Sequence, residues 1–486
     1  MKPAAVCMDP NTGPEVRSRF DRGTFVLEGR GVRLDELALP GVAWDDRVGL
    51  HRMPAYLAPA LERALVSQSI RSRPEGRAVG PVVRTWKPVE LRPYQEAALR
   101  AWWLAGRRGT VVLPTGAGKT RLAVAAMAHA RVRALCLVPT RVLLHQWAEV
   151  IRQHYSGPIG VLGDGVQQPQ AITVATFESA YLQMARLGDR FDLLIVDEAH
   201  HFGRGVRDEA LEMCAAPARL GLTATPATAP SRETQTDSDG AEPDRLAELV
   251  GPLVFELAIG DLAGTFLAPF EIVAVRLDLD GDERRRYEED RRAFQVVQRR
   301  LAEIMPGANW SEFARAAATT KEGKAALAAW RRAQALVAFN AAKGAAVERL
   351  LARHREARVL LFTADNAATY AVARRHLIMP ITCDIKREER DAALSLFRRG
   401  ELRALVSARV LNEGVDVPDA DVAIIVAGTM GQREHVQRIG RLLRPVPGKR
   451  AVVYELITRG THEEHQAQKR RMGLEARDTR GLHRAG

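Results

Sequence analysis

The chain has 486 residues, enough for about three domains, and its 46% hydrophobic and 27% charged composition is that of an ordinary globular protein. Lysine and arginine outnumber aspartate and glutamate by 71 to 59, a net charge of +12 that fits either a polyanionic partner or arginines that solvate helix faces. The four cysteines (Cys7, Cys136, Cys214 and Cys383) form no Cys-x-x-Cys pair, and no apolar run reaches ~18 residues, which argues against an Fe–S cluster, a disulfide framework and a membrane span and leads us to expect a cytoplasmic protein.

Residues 1–80 are expected to form a small β-rich N-terminal domain. Thr24–Gly29 and Gly31–Leu34 read as short strands about a turn, and Arg71–Arg77 as an exposed linker. Leu91-Arg92-Pro93-Tyr94-Gln95 opens a helix with Pro93 in its first turn. The amide of Gln95 both donates and accepts, so it suits an adenine edge.

An apolar strand, Thr110–Leu113, then leads into Pro114-Thr115-Gly116-Ala117-Gly118-Lys119-Thr120 and an Ala-rich helix, Arg121–Ala130. Strand, glycine turn and Gly-Lys-Thr at a helix start form a phosphate-binding loop, although Leu113 replaces the usual first glycine. Backbone N–H groups from Thr115 to Gly118 and the helix N-terminus would cradle phosphate oxygens. Lys119 would reach the β- and γ-phosphates, and the Thr120 hydroxyl would ligate Mg²⁺.

Four more apolar strands follow, Ala134–Val138, Ala171–Ala175, Phe191–Val196 and Arg219–Leu222. Alternation with helices predicts a parallel α/β sheet. Each strand ends in a polar motif, where ligands sit in such sheets. Asp197 ends one strand and would support Mg²⁺, and Glu198 beside it would orient and deprotonate a water. His200, Thr223 and Thr225 would link that site to whatever the protein grips.

Residues 227–245 read as a mobile acidic loop, and Gly281–Trp330 as charged helices, either a basic arm for nucleic acid or a solvated face. A second α/β unit follows, with strands at Arg358–Phe362, Arg403–Val406, Asp421–Val426 and Ala451–Leu456. It has no phosphate loop of its own. Its helix from Gln437 to Arg444 places Arg438, Arg441 and, less closely, Arg444 on one face. Arg441 and Arg444 are candidates for stabilising the transferring γ-phosphate, a role worth roughly 10³–10⁵ in rate. The tail from Thr461 is basic and expected to fray, and His462-Glu463-Glu464-His465 lacks the spacing of a zinc signature.

Together these segments resemble a superfamily 2 helicase of the DEAH type. The carriers are L-R-P-Y-Q, P-T-G-A-G-K-T, V-P-T-R, T-V-A-T-F, D-E-A-H, L-T-A-T-P, L-F-T, S-A-R-V-L-N-E-G-V-D-V-P and Q-R-I-G-R-L-L-R, over about residues 90–460. The resemblance implies two RecA-like parallel-sheet domains and ATP with Mg²⁺ as cofactors. It also implies Gln437, Arg441 and Arg444 at the γ-phosphate, and Gly414 and Asp416 in a segment that couples the two sites. Arg141, Thr176 and Thr363 fall in segments that touch the nucleic-acid backbone in that superfamily.

Within the superfamily the chain looks most like the XPB group in its short microbial form. The implied layout is an N-terminal domain resembling a damage-recognition domain (1–80), helicase domain 1 (85–257), a linker and thumb-like helical insert (258–341), helicase domain 2 (342–470) and a basic tail (471–486). The group's Arg-Glu-Asp motif has Arg232-Glu233-Thr234 as its nearest match, displaced and without the aspartate, which bears on strand separation rather than hydrolysis. The expected activity is an ATP-dependent DNA helicase or translocase in repair such as nucleotide excision repair, 3′→5′ by resemblance, acting on single-stranded, duplex or forked DNA. The alternatives are an ATP-gated DNA-binding scaffold that recruits or regulates a nuclease, an RNA-directed motor of the same fold, and, more weakly, a restriction-system motor.

Overall fold

The structure is a computed structural model. It describes residues 13–75 except 38 and 40, 84–224 except 204, 244–408 except 263, 267 and 268, then 420–427 and 451–471. The described residues divide into two compact units, one holding those up to Glu256 apart from Pro114–Ala117, the other those from Leu257 onward together with Pro114–Ala117.

The first unit opens with a five-stranded sheet of order β3-β4-β2-β1-β5. Its strands are β1 (Glu15–Asp21), β2 (Thr24–Arg30), β3 (Ala43–Asp45), β4 (Leu50–Pro54) and β5 (Arg71–Glu75). Helix α1 (Ala58–Ser67) lies between β4 and β5, and Leu61 and Leu65 from it join Val16, Leu27 and Met53 in one core. Two expectations are corrected here. The hairpin turns at Arg22 and Gly23, both at positive φ (49° and 87°), as a tight two-residue turn requires, and Leu34 starts a 3₁₀ turn rather than a strand. Arg71–Glu75 is a strand and not a linker. It pairs parallel with β1, and as the sheet edge it keeps its polar side chains in water and accepts Pro74.

The rest of this unit is an eight-stranded sheet of order β13-β6-β12-β11-β7-β10-β8-β9. The strands are β6 (Arg108–Val112), β7 (Ala134–Val138), β8 (Ile159–Gly163), β9 (Val166–Gln168), β10 (Ile172–Thr176), β11 (Leu193–Asp197), β12 (Ala218–Thr223) and β13 (Leu253–Glu256). All its pairings are parallel except β8 with β9. β7, β10, β11 and β12 are buried along their whole length, as a sheet covered on both faces demands. The covering helices include α2 (Pro93–Leu104), α3 (Lys119–Ala130), α4 (Arg141–His154) and α5 (Phe177–Leu187). On α4 the residues Leu144, Trp147, Ala148 and Ile151 recur at helical spacing and are buried, each large one worth about 1.5–3 kcal/mol.

The N-terminal sheet is seated on this domain. A Cβ at Gly23 would come within 2.2 Å of Met213, so the hairpin turn presses directly on the domain of the eight-stranded sheet. Tyr56 donates its hydroxyl to Glu248 at 2.5 Å, and its ring lies 5.4 Å beneath the Arg245 guanidinium, which pairs with Glu212 and Glu248. Under that seat the fully buried Arg219 of β12 donates to the carbonyls of Ala216, Leu211, Leu249 and Cys214.

The second unit holds a six-stranded parallel sheet of order β14-β19-β18-β15-β17-β16. Its strands are β14 (Phe270–Leu277), β15 (Val359–Phe362), β16 (Met379–Ile381), β17 (Ala404–Ser407), β18 (Val422–Ile425) and β19 (Ala451–Thr458). β14 pairs along its length with β19, so the stretch expected to be linker and insert, 258–341, contributes a strand to the second sheet. The insert itself is α6 (Gly281–Ile304), α7 (Trp310–Ala317) and α8 (Lys321–Ala338), packed through Phe294, Phe313 and Leu327. Helix α9 (Ala341–Arg353) follows, and its fully buried Lys343 donates at 2.7 Å to Glu463. Glu463 lies on α10 (His462–Arg471), so this part of the expected fraying tail is a helix, held by that ion pair. The acidic loop expected at 227–245 lies outside the described residues up to 243, as do Arg232-Glu233-Thr234 and the tail beyond 471.

Candidate active site

The loop after β6 and the start of α3 carry the expected phosphate cradle. Gly116 and Gly118 have φ of 84° and 80°. Gly118 precedes α3, and a Cβ there would stand 2.4 Å from the Gln95 Nε2, so only glycine fits. Gln95 is buried beneath the loop. Its Oε1 accepts from the Arg92 N–H at 2.9 Å, closing the N-terminus of α2, and its Nε2 donates to the Gly118 carbonyl at 3.4 Å. Thr115 and Thr120 are half-buried and Ala117 is buried, its N–H donating to the Pro114 carbonyl.

Asp197 and Glu198 stand at the end of β11. Asp197 is buried. Its Oδ1 accepts the Glu198 N–H at 3.0 Å and its Oδ2 accepts the Trp147 indole N–H at 3.2 Å. Glu198 has φ of 47°, a left-handed conformation that a residue with a Cβ adopts at a cost of order 1–3 kcal/mol. Its carboxylate lies between two basic side chains. Oε1 lies 3.8 Å from Lys119 Nζ, and Oε2 lies 3.3 Å from His200 Nδ1. Lys119 also donates to the Leu113 carbonyl at 3.4 Å. His200 Nδ1 is 3.0 Å from the hydroxyl of Thr223, which is fully buried at the end of β12.

The two carboxyls are pushed apart. Burial, and then the charge of Glu198, raise Asp197. Burial also opposes ionisation of Glu198, but Lys119 and His200 outweigh it and hold Glu198 below the usual range. Glu198 is thus the ionised partner, the form able to accept a proton.

The donors fit Mg²⁺. The Asp197 carboxylate and Thr120 hydroxyl are hard oxygen ligands, and among the described residues no group of three or more His, Cys, Asp or Glu forms an all-protein cage. A cation here would be held by Asp197, Thr120 and substrate phosphates, the usual way for this ion.

The other expected residues divide three ways. Arg141, first in α4, is exposed, and its guanidinium lies 3.5 Å from Asp164 in the turn between β8 and β9. Thr176 and Thr363 are buried, and their hydroxyls bond within the protein. Thr176 caps α5, accepting from the Ser179 N–H, and the fully buried Thr363 bonds Thr369 at 2.6 Å. Thr225, Gly414, Asp416, Gln437, Arg441 and Arg444 lie outside the described residues. Three residues were not anticipated: Trp147, which bonds Asp197, and Asp164 and His145, which lie 2.9 Å apart beside Arg141.

Three family matches run along the chain. Residues 19–73 match the Xeroderma pigmentosum group B helicase damage recognition domain, 88–228 the Type III restriction enzyme res subunit, and 342–446 the helicase conserved C-terminal domain. A DNA 3′-5′ translocase XPB2 of Sulfurisphaera tokodaii is 32% identical, over 91% of this chain and 98% of its own. A DNA 3′-5′ helicase XPB of Mycobacterium tuberculosis is 30% identical over 79% of this chain, which spans 64% of that relative. The crystal structure of the Pyrococcus furiosus Hef helicase domain shares the fold, with a TM-score of 0.52 at 19% identity, covering 78% of this chain and 98% of its own. Among the described residues no helix is long and apolar enough to cross a membrane.

Proposed function

Because this chain belongs to the XPB group of superfamily 2, ATP-hydrolysing DNA helicases and translocases, we propose that it is a Mg²⁺-dependent motor that moves 3′→5′ on DNA in repair. The observation that carries the reading is the Asp197–Glu198 pair, its aspartate buried and its glutamate half-buried, with Glu198 facing Lys119 on one side and His200, itself bonded to Thr223, on the other.

Lys119 and the loop N–H groups bind and orient the phosphates. Glu198, held ionised, takes a proton from the attacking water. Bound Mg²⁺ would neutralise charge building on the transferred group, with Asp197 and Thr120 on the protein side. Gln95 supports the loop and is the candidate for the adenine edge. From the sequence alone, Gln437, Arg441 and Arg444 are assigned to the γ-phosphate, Gly414 and Asp416 to coupling, and Arg141 to the DNA backbone. The names of the relatives favour neither the RNA-directed motor nor the nuclease-recruiting scaffold.

Lys119→Ala and Glu198→Gln test the site. We expect Glu198→Gln to lower kcat by about 10²–10⁴-fold, with DNA binding retained in both variants. Turnover that persists in either variant would remove the assignment.

A further inference from the structure

Asp197 has two carboxylate oxygens, and the protein occupies each with one donor: its own chain's next N–H on Oδ1 and the Trp147 indole N–H on Oδ2. Trp147 comes from α4, far away in sequence, and is 1% exposed. A residue there for packing alone needs no N–H, since leucine or phenylalanine fills a core as well. The donor of a buried tryptophan must be satisfied, and here it is satisfied by an oxygen of Asp197 rather than by a backbone carbonyl. The same domain supplies the comparison. Trp102 is equally buried, but its indole donates at 2.8 Å to the Arg219 carbonyl, away from the phosphate loop.

We propose that Trp147 is a positioning residue for ATP hydrolysis: its indole N–H fixes the rotamer of Asp197, so that the carboxylate presents one defined oxygen direction to the cation beside Thr120. The inference rests on the ATPase reading above. A carboxylate that holds a divalent cation needs an outer partner to set its orientation, and losing such a partner ordinarily weakens metal affinity 10–100-fold. Nothing in this arrangement requires Trp147 to touch nucleotide or water.

The test is the Mg²⁺ dependence of binding of a fluorescent ADP analogue (mant-ADP) to full-length protein, measured for wild type, Trp147→Phe and Trp102→Phe. We expect the half-saturating Mg²⁺ concentration to rise about tenfold or more in Trp147→Phe. In Trp102→Phe, which loses a comparable ring and hydrogen bond, it stays near the wild-type value. Analogue binding without Mg²⁺ stays equal in all three. An unchanged Mg²⁺ dependence in Trp147→Phe overturns the proposal, and so does an equal shift in Trp102→Phe. If Trp147→Phe does not fold, 3-benzothienylalanine at position 147 keeps the bicyclic shape without the N–H, and the same shift is expected. Wild-type protein that hydrolyses no ATP would refute the ATPase reading itself, a result distinct from either of these.

Discussion

His200 places its Nδ1 3.0 Å from the Thr223 hydroxyl, joining the ends of two neighbouring strands, β11 and β12. The same nitrogen lies 3.3 Å from Glu198. One imidazole thus connects the end of β12 to the Glu198 carboxylate. We expect His200→Ala and Thr223→Val each to lose DNA-stimulated turnover, and the double variant to lose no more than the worse single one. Steady-state kinetics of the double-mutant cycle checks this, and additive losses would mean the two residues act separately.

Asp164 draws together two basic groups of α4. Its carboxylate faces Arg141 at 3.5 Å and His145 at 2.9 Å. Removing its charge should free both groups for DNA. Asp164→Asn is expected to tighten DNA binding by up to about fivefold, the range an exposed ion pair allows. Arg141→Ala should weaken binding and reduce the slope of log affinity against log salt by about 0.7–0.9. Fluorescence anisotropy with one oligonucleotide across a salt series measures both.

Arg219 holds together the seat of the N-terminal domain. Its side chain donates to four carbonyls and is fully buried, and burial lowers its pKa to about 10, so it stays charged at neutral pH. Arg219→Met would take this donor from four carbonyls, of which Leu211's still accepts the Cys214 N–H, and each buried acceptor left unpaired costs about 1–3 kcal/mol. We expect a loss of at least about 3 kcal/mol by chemical denaturation, with the first unit affected.

The seat should also depend on pH. Burial raises the Glu248 carboxyl, but Tyr56 and Arg245 outweigh it, and the group ends below its ordinary 4.5. A carboxyl with a depressed folded pKa stabilises above its unfolded value and loses that contribution as pH falls through the folded one. The melting temperature of Glu248→Gln should therefore lie below that of wild type at neutral pH, with the gap closing as the pH falls below Glu248's ordinary value. A gap that is constant across this range would show that Glu248 acts by packing alone.

Much of the site was legible because its chemistry sits where a repeating pattern breaks. Asp197 and Glu198 directly follow a buried parallel strand, and Lys119 follows the glycine turn after another, the end of the sheet where ligands sit. Trp147 was not legible, because Leu144, Trp147, Ala148 and Ile151 read only as the core face of a helix. Periodicity reports which face is buried, not what an indole N–H meets. β5 was missed for the opposite reason. As an edge strand with exposed arginines it shows no alternation, and only its pairing with β1 marks it. Thr176 and Thr363 stand in segments that resemble DNA-contacting ones, but sequence gives no sign that their hydroxyls are used internally.

The most direct measurement is the steady-state ATPase rate of the purified full chain, alone and with single-stranded, duplex and forked DNA, and with RNA of matched length. A DNA motor predicts strong stimulation by at least one DNA form, much weaker stimulation by RNA, and none in Glu198→Gln. Equal or greater stimulation by RNA, or a rate that DNA does not change while DNA still binds, would contradict the assignment.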